Sequence, residues 1–99
     1  MLTITEALTA VSQKLEQMSP PDDSFVVVEK HTIEKPFGWV FFYNSKRFLE
    51  TQEFRYRLAG NGPVIVDKYR GSVQFFGAGK PLEEILAEYE KKLADGRRP

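Results

Sequence analysis

His31 is the only imidazole in the chain, and no cysteine accompanies it. Those two facts close most routes to catalysis. Nucleophile–base pairs need His beside Ser or Cys, and thiolate metal sites need Cys. Asp22 and Asp23 are adjacent carboxylates, but Pro20 and Pro21 precede them in a loop, where solvation is their expected state. Ser45 lacks a G-x-S-x-G setting and reads as a helix cap rather than a nucleophile. Gly79-Lys80 before a helix resembles the end of a phosphate loop. Gln74 stands where that loop needs its first Gly, and Pro81 where it needs Ser or Thr. A helix N-terminus bearing Lys80 would still attract an anion. No acidic loop has calcium-binding spacing, so neither metal nor cofactor is expected. The reading is a protein that works by binding and is not an enzyme.

Side chains suited to binding are more plentiful. Tyr, Trp and Arg dominate the centres of protein interfaces. Phe54, Arg55, Tyr56 and Arg57 follow one another in an irregular segment, and Tyr69 falls at a hairpin tip. Glu29, His31, Glu34 and Lys35 occupy the polar, protruding end of another hairpin. These are the expected partner contacts. For each the plain alternative is an ordinary solvated surface role, His31 reads first as a half-exposed strand residue, and Phe54 and Tyr56 could instead be satellite core. Formal net charge is zero, yet residues 35–80 carry a surplus of five positive charges and residues 1–34 a deficit of four. The first reading is that acidic and basic segments face each other in the fold. The sharper one is a basic patch for an acidic partner. Nucleic acid is not expected, because the chain as a whole is not basic.

The elements that must position these groups follow from periodicity. Thr3 and Glu6 fit a capping box opening a helix over 4–18, with Ile4, Leu8, Val11, Leu15 and Met18 as its apolar stripe. Pro20 and Pro21 stop it. Phe25 to Ile33 reads as a first strand, paired in a hairpin with an aromatic strand from Phe37 to Tyr43. Alternation puts Phe37, Trp39, Phe41 and Tyr43 on one face and Val40 and Phe42 on the other. Both faces are apolar, so this strand is central. Ser45 caps a short helical turn through Leu49. Gly60-Asn61-Gly62-Pro63 is a turn with Pro63 opening the strand Val64–Val66. Gly71 sits late in the next hairpin loop, and Ser72 to Phe76 returns. Pro81 starts a last helix with the stripe Leu82, Ile85, Leu86, Tyr89 and Leu93. Gly96 ends it, and Arg97 to Pro99 is a frayed tail.

The expected fold class is α+β: a four-stranded antiparallel sheet with N- and C-terminal helices packed on one face, in the order α-β-β-β-β-α. The other face would stay partly open, and a second copy could close it as a homodimer. With 99 residues, 41% apolar and 28% charged, residues 1–99 read as one domain with one core. No leader region opens the sequence and no apolar run approaches membrane length, so neither secretion nor a membrane is expected. The lack of Cys fits a reducing, cytoplasmic setting.

The run Gly38-Trp39-Val40-Phe41-Phe42-Tyr43-Asn44-Ser45, then Phe48-Leu49-Glu50-Thr51, resembles the immunity protein 35 family, also called the YrhB-like domain. The likeness continues through Leu58-Ala59-Gly60-Asn61-Gly62-Pro63, Val66-Asp67 and Gly71. It closes with Gly77, Gly79-Lys80-Pro81-Leu82-Glu83-Glu84 and Glu88-Tyr89. Ala78 and Ile85 are small departures from the family pattern. The resemblance implies an immunity protein encoded beside a secreted bacterial toxin. Such a protein binds its cognate toxin and neutralises it by stoichiometric inhibition, protecting the producing cell. It also implies that Gly38, Trp39, Gly60, Asn61, Gly62, Pro63, Gly71 and Pro81 serve the scaffold, while toxin-reading residues lie elsewhere. The competing function is a chaperone-like stabilising protein that holds clients through exposed apolar surface, for which the uncovered sheet face is one candidate. An enzyme acting on an anion at Gly79-Lys80 stands third.

Overall fold

The computed structural model describes residues 1–96, and the expected frayed tail at 97–99 lies outside them. Helix α1 spans Ile4–Met18. Its capping box is formed: Thr3 N–H donates to Glu6 Oε1 at 2.9 Å, and Glu6 N–H donates to Thr3 Oγ1 at 3.2 Å. These bonds hold the Glu6 carboxyl below the usual glutamate range. The buried stripe is Ala7, Val11 and Leu15, with Leu8 packed beside it. Ile4 and Met18, expected in that stripe, are 44% and 49% exposed. The buried face is thus centred on Ala7, Val11 and Leu15, and both ends of the helix are left in solvent.

The first hairpin is present but kinked. Its first arm divides into β1 (Phe25–Val27) and β2 (Ile33–Lys35), separated by a 3-10 turn over Glu29–His31. Its second arm divides into β3 (Gly38–Phe41) and β4 (Tyr43–Ser45). Val27 pairs with Tyr43 and Ile33 with Val40. Five residues therefore lie between the two pairs on the first arm and two on the second. The excess is absorbed by the turn, which loops out while Val28 N–H donates to Phe42 O at 2.8 Å across the break. His31 thus stands exposed on a turn, not half-exposed in a strand. The tip of the hairpin is at 35–38, and Lys68 N–H holds Phe37 O there at 2.9 Å, so it does not protrude alone.

Strand β5 spans Asn61–Asp67 and β6 spans Val73–Gly77. The larger sheet is antiparallel throughout in the order β2-β3-β5-β6, and β1 pairs with β4 in a separate two-stranded ribbon. Trp39 pairs with Val66 and Phe41 with Val64; these residues form one core with Tyr43 and α1. Val40 pairs with Ile65 on the opposite face and meets Ile85 and Tyr89 of the last helix, α3 (Leu82–Ala94). The α+β class, the four-stranded sheet and the two terminal helices are as expected. The single covered face is not: α1 and α3 lie on opposite faces. A strand apolar on both sides needs two covers, and the face expected to await a second copy is closed by α3. Phe37 also changes sides, its ring 4.9 Å from Tyr89 in the α3 core, because the chain turns at Gly38.

Several scaffold residues show why their types are needed. Gly38 has φ +152°, and a Cβ there would lie 1.9 Å from Val66 O. Gly60 and Gly71 take left-handed φ values in their turns. Gly62 is not part of the turn. It sits in β5, at the register shift between Asn61 and Val64, and a Cβ would meet Gly77 O at 2.3 Å. Pro63 follows within the strand and is not its first residue, because Asn61 already pairs with Gly77. A proline lacks the N–H for a ladder bond, and the bulge relieves that need. Asn61 Nδ2 donates to Tyr43 O at 2.9 Å, joining the sheet to the ribbon. The β5–β6 loop is closed by buried Asp67, whose carboxylate accepts from Tyr69 and Arg70 N–H at 2.8 and 3.2 Å. Pro81 is the N-cap of α3, one position ahead of the expected one. Gly96 follows the α3 C-cap Asp95 with φ +77°, as a helix stop requires.

One further clamp fixes the far side. The Ser45 hydroxyl, fully buried, donates to Asp23 Oδ2 and accepts from Phe48 N–H at 3.2 Å. Asp23 Oδ1 also accepts from Ser24 and Arg47 N–H at 2.7 and 3.3 Å. The bond from Ser45 is the main reason that the Asp23 carboxyl is held below the ordinary aspartate value of 3.8.

Two stability predictions follow from these contacts. Gly38→Ala lowers the urea unfolding free energy by about 2 kcal/mol or more, combining a disfavoured φ with a backbone clash. Gly79→Ala, with open space around its Cα, serves as the control and leaves the midpoint unchanged. Asp23→Asn lowers the midpoint at neutral pH. A carboxyl with a depressed folded pKa adds stability above its unfolded value and loses it as pH falls through the folded one. The gap between wild type and Asp23→Asn therefore narrows below the unfolded value of 3.8. Glu6, also depressed, is present in both proteins and cancels in this comparison.

Candidate functional site

The Ser45–Asp23 clamp starts the segment that carries the most exposed aromatic surface. Helix α2 spans Lys46–Thr51, extending past the expected end at Leu49, and is N-capped by Ser45. It stops at Gln52, which takes φ +61° while its N–H donates to Phe48 O at 2.7 Å. The Gln52 side chain adds a bond to Leu49 O at 3.1 Å. A 3-10 turn over Phe54–Tyr56 follows, and Leu58 N–H then returns to Asn44 Oδ1 at 3.1 Å. Both ends of the 46–58 excursion are thus bound to β4, at Ser45 and at Asn44. The irregular segment expected here is a pinned loop.

On that loop Phe54 is 77% exposed. Its ring lies 6.2 Å from Phe48 and 6.0 Å from the Arg57 guanidinium carbon. Tyr56 is approached by Arg55 at 4.7 Å and by Arg47 at 5.2 Å. Each such cation–ring contact at an exposed site contributes about 0.5–1 kcal/mol. Together they preset the arginines, so less side-chain entropy remains to be lost when a partner docks. Arg55 also meets Glu53 at 3.4 Å. Satellite core is not the role of Phe54, and Tyr56 is only partly covered.

Beside this cluster runs a groove of about 540 Å³. Phe42, Phe48, Leu58 and Pro63 contribute its apolar surface, and Lys30, His31, Arg57 and Lys80 its basic side chains. No Asp or Glu lines it. Lys80 Nζ grips both Glu88 carboxylate oxygens at 2.9 and 3.1 Å, and this pairing holds its ammonium above the usual lysine range. The anion role considered for Gly79-Lys80 therefore meets a built-in carboxylate. Arg57 also lines a second depression of about 440 Å³ with Phe54 and Gly60, so it forms the ridge between the two.

The nine expected contact residues separate into two regions. Phe54, Arg55, Tyr56 and Arg57 share one turn, and Arg57 lines the same groove as His31. Glu29 is exposed on the same turn as His31. Glu34 and Lys35 lie on β2 near the opposite end of the sheet, where Lys35 pairs with Gly38 and Gly38 with Asp67. Tyr69, 58% exposed, is on the loop after Asp67. Lys35 is partly occupied by Glu90 at 3.7 Å. Sequence reasoning missed Lys30 and Arg47. Arg47 meets Tyr56 only because the pinned loop folds back, and no spacing rule announces that. For Arg47 the signal available was the positive surplus of residues 35–80; for Lys30, in segment 1–34, it was its place between Glu29 and His31.

The same residues bear on catalysis. The Ser45 hydroxyl is buried and engaged by Asp23 and Phe48 N–H, as a cap would be. No group of three His, Asp or Glu side chains that could hold a metal ion occurs among the described residues. Among those residues no helix is long and apolar enough to cross a membrane.

Comparison with known proteins adds an independent line. The chain is 38% identical over 94 residues to a protein of Escherichia coli K12 named uncharacterized protein YrhB, covering 95% of each chain. No solved structure matches significantly. The family model for immunity protein 35 matches residues 5–92, which take in both terminal helices, the kinked hairpin and the pinned loop. The chain therefore belongs to the immunity protein 35 family.

Proposed function

We propose that this protein, as a single domain over 1–99, is a cytoplasmic immunity protein. It binds a cognate bacterial toxin domain and neutralises it by stoichiometric occlusion, without turnover. Family membership supports the class of function. The observation that carries the mode of action is Phe54, 77% exposed amid Arg47, Arg55, Arg57 and Tyr56 on a loop anchored at both ends. An exposed apolar ring with preset arginines is the composition of an interface centre. A stable complex buries roughly 1,600 Å² in total, an area that reaches from this loop over His31 and Glu29. Glu34, Lys35 and Tyr69 form a separate patch toward the opposite end of the sheet. The sheet face that the chaperone-like alternative would have offered to clients is occupied by α3.

The test uses the toxic C-terminal domain that this reading expects to be encoded beside the gene. Wild type binds it at equal stoichiometry in a calorimetric titration. Phe54→Ala weakens binding by about 2 kcal/mol, roughly 30-fold. Joint replacement of Arg55, Tyr56 and Arg57 by Ala weakens it at least as much, with melting temperature retained. Unchanged affinity for both variants removes the loop from the interface. Neutralisation at far below equal stoichiometry overturns the non-catalytic mode.

A further inference from the structure

The basic surplus of residues 35–80 is only partly absorbed within the fold. The ion pairs among the described residues are Lys35–Glu90, Arg55–Glu53 and Lys80–Glu88. None of them reaches segment 1–34, where Asp23 meets Arg47 through the Arg47 backbone N–H and charge. Lys30, His31 and Arg57 line the 540 Å³ groove with no ion pair among the described residues. Phe42, Phe48, Leu58 and Pro63 present apolar surface beneath them.

We infer that the groove receives an acidic segment of the protein partner, with a carboxylate set between Lys30 and Arg57 and a neighbouring apolar side chain lowered among Phe42, Phe48 and Leu58. Charge complementarity selects the sign of the occupant, since no acidic side chain lines the groove. The mixed lining selects a peptide over nucleic acid. Its aromatic groups Phe42, Tyr43 and Phe48 are buried or half-buried, which suits contact with a single apolar side chain better than base stacking. Arg guanidinium groups pair with carboxylates through two parallel N–H bonds, and desolvation over apolar surface strengthens such bonds. Arg57, as the ridge between groove and Phe54 depression, places this segment beside the proposed interface centre. The inference deepens the toxin-binding reading and rests on it for the partner's identity. The groove's preference itself can be measured without the toxin.

The experiment selects a random octapeptide display library on the purified domain, then measures the enriched peptides by fluorescence anisotropy and two-dimensional NMR. Enriched sequences carry Asp or Glu next to Leu, Phe or Tyr, and amide shifts move at Lys30, His31, Leu58 and Asn61. Lys30→Glu and Arg57→Glu each weaken the peptide by ~10-fold, one decade per 1.4 kcal/mol of lost attraction. Lys14→Glu, exposed on α1, does not. No enrichment for carboxylates, shifts confined to another face, or indifference to both charge reversals overturns the proposal. So does an octathymidylate competitor that binds the groove more tightly than the peptide. Peptide binding with no effect of Phe54→Ala on the toxin leaves the groove standing and refutes the loop-centred interface. The converse result refutes the groove alone.

Discussion

Everything in this molecule depends on covering both sides of one strand. Trp39 and Phe41 point one way and Val40 the other, and all three are buried. Burial of each large apolar side chain contributes about 1.5–3 kcal/mol, so neither face can be left in water without losing a large part of a small protein's margin. Helix α1 serves the first face through Ala7, Val11 and Leu15, and α3 serves the second through Ile85 and Tyr89. The two helices are the first and last elements of the chain, so the sheet cannot be finished until both ends have folded back. This is how a chain of 99 residues without cysteine holds its core with no disulfide. It is layered helix–sheet–helix, with β5 also buried on both faces.

The second constraint is the mismatch in the first hairpin. Had the arms been equal, the hairpin would have run on as one flat ribbon beside the sheet. Instead the extra residues loop out at Glu29–His31, and the pairing divides into β1 with β4 and β2 with β3. The division frees β4 from the sheet. Asn61 Nδ2 on Tyr43 O then bridges the two parts, and Asn44 and Ser45 take hold of both ends of the 46–58 loop. Groove and exposed cluster are products of this one irregularity: the looped-out turn supplies Lys30 and His31 on one side, and the pinned loop supplies Arg57 on the other.

Much of this was legible in the sequence, and the parts that were not share a cause. Local signals survived intact. The Thr3–Glu6 box, Ser45 as a cap, the late Gly71 and the α3 stripe depend on neighbours within four residues, where periodicity and capping chemistry decide. What failed depended on partners far along the chain. Alternation placed Phe37 with Trp39, but Gly38 at φ +152° turns the chain between them. The broken strands were invisible because Val28 and Phe42 are good strand formers; only the unequal count across the hairpin forces the break. The second face of the aromatic strand was read as apolar yet left partly open, with both helices assigned to the first; α3 covers it instead. For the candidate cluster, residue type pointed to Phe54 through Arg57, and the fold-back of the 46–58 loop, which no local rule announces, adds Arg47.

The division of labour between scaffold and surface has a physical basis. Gly38 and Gly62 are pressed against neighbouring carbonyls, and Asp67 and Ser45 are buried with their hydrogen bonds committed. Substitution at such positions changes the backbone that everything else rests on. Phe54, Arg55 and Arg57 are exposed, and Lys30 and His31 stand on a turn that already lies outside the strand ladder. Their side chains can be exchanged at small cost to the core, because the loop is held by backbone and cap bonds at Ser45, Gln52 and Asn44 rather than by those side chains themselves. Here the frame's two-sided core and the loop's anchors are separate from these exposed side chains, so the side chains can change while the fold persists.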